Sequence, residues 1–384
     1  MGRSMRASYC YVPVLPARGG AFRAIAALSP DARVRLTPVF NIPAAILKAG
    51  KTWEAYLAKR ADGVRWCWEP ARPFYIDVHD LDLELRTSTG RPPIEFVVSR
   101  LRDNGMFAIP VTGTEADRGR EYLLTVKGLA SRYNCGVGLR LAREEMEEPR
   151  VLEQAIKDTL EIVGIGPEDC DVFLDFGYVG KDSSAVLEVS AQETLAVLAG
   201  IGNFRNTALG GSSIPDQLGK SDQGIVRREK RIELDAWMSI STAARGGQNR
   251  IPLALLDYGI VGDHYVPPAK VMNLPSRIRY TTASDHVFRR ANRSDYRELC
   301  KQLVSTSDYL GPLFSDGDRR IELSARGLAG PGAPALWAAY DTNHHLELVS
   351  EQAWSILRQL RLDRKFGLPQ SLRRPWLQAE LLRE

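Results

Sequence analysis

The sequence predicts an α/β protein whose main domain is a closed (β/α)8 barrel of the TIM type. Eight short apolar runs, rich in β-branched, leucine and aromatic residues, recur along the first two thirds of the chain. Each run is too short for a helix, and most are followed by a segment with helical periodicity, which is the pattern of buried parallel strands. The runs are 11–15, 36–40, 74–78, 107–111, 136–141, 171–177, 204–208 and 253–258.

The domain organisation follows from the length of the chain. With 384 residues the chain exceeds the roughly 250 residues that such a barrel needs. We therefore expect the barrel at residues 1–265 and an appended C-terminal α+β region at residues 266–384, where prolines begin to punctuate the sequence. Within this region we expect the last barrel helix at 296–304 and an amphipathic helix at 351–362, before the tail.

Proline, glycine and apolar periodicity define the helices between the strands. Pro93 favours the first turn of a helix that Asn104 and Gly105 end. The acidic run before Pro149 complements the dipole of the next helix, which favours a structural role for that run over a metal site. The segments predicted to be helical are 21–28, 52–60, 93–103, 117–133, 149–163 and a stretch through Trp237.

The composition is that of a folded globular protein, with 44% hydrophobic residues, 26% charged residues and a net charge of +4. No apolar run approaches the roughly 20 residues that cross a bilayer, so we expect a cytoplasmic protein without membrane contact. The five cysteines have no close pair, which argues against a zinc knuckle and a disulfide framework and favours small buried side chains. The basic tail from Arg358 is interpreted as a solvated helix face rather than a nucleic-acid patch.

Six motifs together carry a family resemblance. They are Tyr11-Val-Pro-Val-Leu15, Leu36-Thr-Pro-Val-Phe40, Gly210-Gly-Ser-Ser-Ile-Pro215, Ile278-Arg-Tyr-Thr-Thr282, Phe314-Ser-Asp-Gly-Asp318 and Asn343-His-His345. In this combination the chain resembles the Beta protein family of phages, satellite prophages and bacterial anti-phage defence loci. The resemblance implies a role in phage–bacterium conflict, with protein partners from the same locus. It carries over no catalytic residue.

The most specific local feature is the predicted turn Gly210-Gly211-Ser212-Ser213. Two glycines let backbone amides approach an anion closely, and the two hydroxyl groups add donors. In (β/α)8 barrels, phosphate groups often bind in the loops after strands seven and eight, which is where this turn falls. The sequence therefore predicts a phosphate site here, and the alternative is a tight turn that needs glycine for its backbone angles.

Three carboxylates are expected near the barrel mouth. Asp77, Asp175 and Asp257 lie at or near the ends of strands three, six and eight. Together they could bind a hard cation such as Mg²⁺ and activate water for phosphodiester hydrolysis, or act as acid and base groups. The alternative is that they cap loops and that strand alternation directs some of them outward.

Three further residues are candidates for the site. Arg140 is suited to phosphate or carboxylate, and it could equally neutralise the aspartates as a structural ion pair. Arg279, in an alternating strand, is a second candidate phosphate ligand. His344 is a candidate catalytic group if the appended region folds over the mouth, whereas a surface turn would leave it without a role.

The sequence thus favours a phosphate-recognising enzyme of phage–bacterium conflict that acts on a nucleotide or nucleic acid. The rival hypothesis is a non-catalytic sensor, or a scaffold subunit that binds partner proteins. No strand ends in lysine, which argues against Schiff-base chemistry. A Walker loop, a dinucleotide fingerprint, a nucleophile elbow and a paired-cysteine metal site are all absent from the sequence.

Overall fold

Eight parallel strands close into a barrel in the computed structural model, which describes residues 9–47, 49–215, 226–243, 253–260, 276–291, 295–330 and 332–366. The barrel strands are β1 (Tyr11–Pro16), β2 (Val39–Asn41), β3 (Phe74–Asp77), β4 (Ala108–Thr112), β5 (Val137–Ala142), β6 (Cys170–Tyr178), β7 (Asn206–Ser212) and β9 (Leu253–Asp257). Their order around the barrel follows the chain, and β9 closes it by pairing with β1. The predicted (β/α)8 fold is confirmed, and all eight apolar runs contribute a strand.

The described helices alternate with the strands and cover the outside of the barrel, or lie in the C-terminal region. In chain order they are α1 (Gly19–Ala26), α2 (Pro30–Arg35), α3 (Trp53–Cys67), α4 (Pro93–Asp103), α5 (Glu115–Arg118), α6 (Arg120–Tyr133), α7 (Pro149–Val163), α8 (Ser184–Ile201), α9 (Ile232–Ala243), α10 (Tyr296–Val304), α11 (Asp316–Ala325) and α12 (Pro334–Phe366). Short 3-10 turns occupy 143–146 and 167–169. The predicted helix at 52–60 therefore continues to Cys67, and the one at 117–133 is divided at Gly119, whose φ is +74°.

Strand alternation separates two cores. Residues such as Val14, Phe173 and Leu256 point into the barrel and form an inner apolar cluster. Their neighbours, such as Leu15 and Leu174, point outward and pack against the helices. Because side chains in a strand alternate between faces, this parity decides which strand-end residues face the barrel mouth.

The long helix α12 takes the place of the eighth barrel helix. Leu346, Val349 and Ala353 belong to the outer core, and Asn343 Nδ2 donates to the carbonyl oxygen of Ala24 in α1 at 3.1 Å. Glu347 accepts from the backbone and hydroxyl of Ser29 at 2.5 and 2.8 Å. The prediction of the last barrel helix at 296–304 is wrong, because α10 packs with the C-terminal region.

A small antiparallel sheet belongs to the C-terminal region, with the strand order β10 (Ser276–Thr281), β11 (Asp285–Ala291) and β8 (Arg227–Lys230). Its third strand comes from the connection between β7 and α9, well before residue 266. The predicted boundary at residues 265 and 266 lies outside the described residues, so it stays a prediction, but the two regions share a sheet through β8. The tail beyond Phe366 also lies outside the described residues.

Helix α8 is, in the described part of the chain, the only helix long and apolar enough to cross a membrane by length and composition. The sequence analysis did not identify this helix, because it found no apolar run near the roughly 20 residues that cross a bilayer. In the structure, α8 packs through Leu187, Ala191 and Leu198, which is the place of an ordinary barrel helix. The expectation for the cysteines is confirmed: all five are buried, and they form no disulfide with one another in the described part of the chain.

Candidate functional site

A polar cavity of about 340 Å³ opens at the mouth of the barrel, where the carboxyl ends of the strands meet. It is lined by residues from several strands and the loops that follow them. These residues include Asn41, His79, Arg118, Arg140, Asp175 and Tyr258. Of the predicted site residues, Arg140 and Asp175 line it, and Asp77 contacts Arg140 from below the surface.

Arg140, near the end of β5, is the centre of the network below this cavity. Its Nε donates to Asp175 Oδ2 at 2.6 Å, its Nη1 to Asp77 Oδ2 at 2.9 Å, and its Nη2 to the Tyr258 hydroxyl at 2.5 Å. Nη2 also lies 2.6 Å from Asp175 Oδ2. A guanidinium has five N–H groups, and these contacts among the described residues account for four of them. The side chain is 12% exposed, which gives the cavity access to it.

Asp77 is fully buried at the end of β3 and is shared by two arginines. Its second oxygen accepts from Arg118 Nη2 at 3.0 Å and from the backbone N–H of His79 at 2.9 Å. Burial opposes ionisation of this carboxyl, but the guanidinium groups of Arg118 and Arg140 outweigh it and hold the pKa of Asp77 well below its usual range. Asp77 is therefore a carboxylate whose acceptor sites are already used within the protein.

Asp175, near the end of β6, is bound just as closely. Besides Arg140, it accepts from the backbone N–H of Gly177 at 3.0 Å and from the Tyr258 hydroxyl. The network of Asp77, Arg118, Arg140, Asp175 and Tyr258, here called the upper network, is thus internally paired. The sequence left open whether Arg140 binds phosphate or neutralises the aspartates. These contacts form the second arrangement, an ion pair with Asp77 and Asp175.

Asp257 does not join this network. It follows Leu256, which points into the barrel, and so it faces outward toward α12. There it accepts from the Tyr11 hydroxyl at 2.5 Å and forms a 2.9 Å hydrogen bond with Nε2 of His345. No group of three or more histidine, cysteine, aspartate or glutamate residues that could hold a metal ion occurs among the described residues. The predicted three-carboxylate Mg²⁺ site of Asp77, Asp175 and Asp257 is therefore not formed.

The predicted phosphate turn is part of the barrel wall. Gly210, Gly211 and Ser212 lie in β7, where a β-carbon at Gly210 would overlap the carbonyl oxygen of Leu256. Neither glycine has a positive φ, so both the anion nest and the tight turn are wrong. The glycines allow close approach of neighbouring backbones instead. Ser212 Oγ accepts from the Ile214 backbone at 3.2 Å.

Ser213, the last residue of the predicted turn, is also buried. Its hydroxyl has no hydrogen-bond partner among the described residues. None of Gly210, Gly211, Ser212 and Ser213 lines the mouth cavity. The predicted phosphate ligands of this turn and Arg140 are therefore not brought together.

His344 and Arg279 lie in the C-terminal region and do not line the cavity either. His344 is buried in α12, stacks on Tyr280 with ring centroids 3.8 Å apart, and bonds Asp318 at 2.7 Å through Nδ1. The expectations of a lid and of a surface turn are both wrong for it. Arg279 donates through Nη1 to the carbonyl oxygen of Ile260 at 3.1 Å.

Asp341 accepts from the backbone N–H of Arg279 at 3.1 Å. It is buried in α12, and its Oδ1 has no hydrogen-bond partner in the described part of the chain. Burial raises the pKa of Asp341 to about 8, because the contacts with Arg279 only partly oppose desolvation of the charge. This aspartate is therefore a neutral acid at pH 7, in contrast to Asp77.

A family model described as Beta protein matches residues 11–351. The chain belongs to the Beta protein family. This membership supports a phage-related role. No curated protein matches this Beta protein family chain. Among solved structures it is similar to a psychrophilic glycoside hydrolase family 10 endo-beta-1,4-xylanase, with 10% identity over 65% of this chain and 86% of the xylanase and a TM-score of 0.34, a value that carries no argument about function.

Residues that the sequence did not suggest complete the mouth of this Beta protein family member. Partial desolvation at the mouth and the nearby charge of Arg140 lower the pKa of the exposed His79 from its usual value, which favours a neutral imidazole at pH 7. Asn41 Oδ1 is buried without a partner within the described residues. Strand parity could have identified Tyr258, since Ala254 and Leu256 point into the barrel at the same two-residue spacing.

Proposed function

We propose that the mouth of this Beta protein family barrel recognises a small phosphate-bearing ligand in a phage-related role, and that recognition rather than metal-dependent hydrolysis is its primary activity. The single observation that carries the proposal is Arg140, a guanidinium that Asp77, Asp175 and Tyr258 hold in one orientation and that lines a 340 Å³ cavity. A guanidinium held in one orientation binds phosphate at little entropic cost.

The charges around the cavity favour a small ligand over a long polyanion. In the deep layer, Arg118 and Arg140 pair with three carboxylates, Asp77, Asp117 and Asp175, while Asp80 and Glu144 at the rim are exposed carboxylates. A nucleic-acid backbone crossing this rim would meet repulsion. A sugar phosphate or nucleotide could place its phosphate against Arg140 and its hydroxyl groups against Asn41 and the rim carboxylates.

The state of the carboxylates supports recognition over hydrolysis. Asp77 and Asp175 have acceptor bonds on both oxygens, and Asp257 faces the opposite side of the barrel wall. A cation would have to displace the arginines before it could use them. Buried charges of this kind are costly to separate from their partners, since truncating one partner costs about 3–5 kcal/mol.

The test is calorimetry of the purified full chain with pyrophosphate and ribose 5-phosphate. Arg140→Gln should weaken the binding of both about tenfold or more, because a charge-assisted bond to phosphate is lost. Arg120→Gln is the matched control, since Arg120 is 64% exposed on α6 and does not line the cavity. Unchanged affinity in a folded Arg140→Gln protein, with folding confirmed by a melting curve, would overturn the proposal.

A second candidate function, turnover of the bound ligand, is favoured by His79. A neutral imidazole beside the cavity is suited to general base catalysis. Incubating the protein with a nucleotide panel and following product by chromatography separates the two functions. Turnover that disappears in His79→Gln while affinity is retained would establish catalysis, and binding without product would leave recognition as the activity.

A further inference from the structure

An apolar groove of about 590 Å³ lies beside the mouth, along the outer face of α8. Its α8 wall includes Val186 and Val189, whose side chains are 53% and 58% exposed. Its opposite wall comes from the 3-10 turn after β5, with Met146. Two exposed valines side by side on one helix face, in a lined groove, form an apolar patch that a ligand or partner would cover.

The groove is continuous with the proposed phosphate site. Arg143 and Phe176 line both the groove and the mouth cavity. Phe176 directly follows Asp175 of the upper network, so a molecule bound to Arg140 can extend past Phe176 onto α8. Arg143 is held at this junction by two hydrogen bonds to Asp182, at 2.8 and 2.9 Å.

The chemistry of the groove selects among apolar occupants. Its wall is apolar, but Glu147 and Glu193 add carboxylates to it. An acyl chain would gain nothing from these acceptors and would bring its CH₂ groups close to two charges. A nucleobase has an aromatic face for contact with the two exposed valines, and it has N–H donors at its edge for the carboxylates.

We propose that the α8 groove is the base subsite of a nucleoside phosphate whose phosphate lies against Arg140, so that Arg143, which lines both the groove and the cavity, lies beside the sugar. The proposal rests on the proposed recognition of phosphate at the mouth. Two ligands share this chemistry, a free nucleotide and the 5′-terminal nucleotide of a single strand. Adenine, guanine and cytosine, which carry exocyclic amino groups, should bind better than uracil because Glu147 and Glu193 accept hydrogen bonds.

Calorimetry with the four ribonucleoside 5′-monophosphates, ribose 5-phosphate, pyrophosphate and the four uncharged nucleosides tests the groove on the full chain. We expect at least one nucleotide to bind about tenfold or more tighter than ribose 5-phosphate. Val189→Trp, which fills the groove, should remove this advantage and leave the affinity for ribose 5-phosphate unchanged. Val151→Trp is the matched control, because Val151 is 62% exposed on α7 and lies outside the groove.

The outcomes separate the two proposals. If ribose 5-phosphate binds but no nucleotide binds tighter, or if Val189→Trp changes nothing, the base subsite is overturned and phosphate recognition stands. If pyrophosphate and ribose 5-phosphate fail to bind while nucleosides bind in a Val189-dependent way, phosphate recognition is overturned, and the groove is a base site without the phosphate part of the proposal. Failure of every compound overturns both.

Two further measurements identify the occupant of the groove. Analytical ultracentrifugation measures the oligomeric state. A dimer that Val189→Trp breaks and Val151→Trp does not would identify a second copy of the chain as the occupant of the groove and would overturn the base subsite. Short oligonucleotides with a 5′-phosphate distinguish the two nucleotide sources. Tighter binding of these than of the mononucleotides, lost in Val189→Trp, would assign the site to a strand end, and weaker binding would assign it to a free nucleotide.

Discussion

The barrel carries an aspartate–arginine network at each end, and the two networks differ in what lies beyond them. At the lower end, Asp171 near the start of β6 accepts from Arg205 Nε and Nη2 at 2.9 and 2.5 Å. Asn206 at 2.7 Å and the Tyr75 hydroxyl at 2.6 Å complete its partners. At the upper end, the corresponding network lines the 340 Å³ mouth cavity.

The difference teaches that an ion pair inside the barrel is not in itself a sign of a binding site. Arg205 has 11% of its side chain exposed, and Arg140 has 12%, so exposure does not distinguish them. Both guanidinium groups also donate through all three of their nitrogens, so the number of contacts does not distinguish them either. Arg140, however, lines the mouth cavity together with His79 and Asn41, and the buried Asn41 Oδ1 has no hydrogen-bond partner among the described residues. We therefore interpret the lower network as structural, whereas a binding role for the upper network remains the proposal made above.

The largest expected effect tests the structural role. Asp171→Asn leaves Arg205 partly buried without its counter-charge, so we expect the free energy of unfolding to fall by about 3–5 kcal/mol. Urea unfolding followed by fluorescence measures this loss. The affinity of the remaining folded protein for pyrophosphate should be unchanged, and a loss of affinity would contradict the separation of the two ends.

A buried aspartate outside both networks sharpens the comparison. The folded-state pKa of Asp341 is raised to about 8, so between about pH 4 and pH 8 the folded protein holds a proton that the unfolded chain has lost. The contribution of Asp341 to stability therefore declines as pH rises through this window, by an amount on the order of a few kcal/mol.

Asp341→Asn should remove that part of the pH dependence, because an amide does not titrate. Unfolding curves of both proteins at pH 5 and pH 8 provide the check. The pKa of Asp77, lowered by two arginines, implies the opposite sign: its contribution is present above the unfolded pKa and is lost in acid. An Asp341→Asn protein with the same decline from pH 5 to pH 8 as the parent would assign the titration to another group.

A smaller effect with an unusual sign tests the binding role. Asp175→Asn removes a negative charge beside Arg140 while keeping a side chain of similar shape. The affinity for pyrophosphate should rise about tenfold, or about 1.4 kcal/mol, since a phosphate no longer meets this carboxylate. Calorimetry measures the change, and Asp171→Asn serves as the control for charge removal at the lower end. Weaker binding would mean that Asp175 itself contacts the ligand.

The smallest expected effect concerns His79, an exposed residue of the mouth. His79→Gln should change the free energy of unfolding by less than about 0.5 kcal/mol, because the residue lies outside the packed core. Since its neutral imidazole carries no charge to attract phosphate, affinity at pH 7 should change by less than about threefold. A large loss of affinity would place the imidazole in direct contact with the phosphate.

The sequence was sufficient for the fold because each barrel strand is a local apolar pattern. Eight such runs, most of them followed by a segment with helical periodicity, together predict the (β/α)8 barrel. The pattern failed at β7, where Gly210 and Gly211 suggested a turn although the strand continues through them to Ser212. Glycine is ambiguous here, because close approach between strands and positive backbone angles both select it.

The site was harder to predict because it depends on parity and on distant partners. Asp77, Arg140 and Asp175 were identified from their places near strand ends, and the structure brings all three together. Asp257 was expected to face the barrel mouth, but it faces α12. Successive side chains in a strand point to opposite faces, so a shift of one residue moves a side chain from the inside of the barrel to the outside. His344 could not be interpreted locally, since its partners Asp318 and Tyr280 lie far from it in the chain.

The origin of the eighth helix has a consequence for synthesis of the protein. Helix α12 covers β1 and α1 but begins only at Pro334, so an emerging chain completes its barrel strands long before the cover for the first of them exists. During that interval the outer face of β1, with Tyr11 and Leu15, is open to water or to other chains. We expect the nascent barrel to depend on chaperone shielding until the C-terminal helix arrives, which makes late ribosome stalling a source of aggregation.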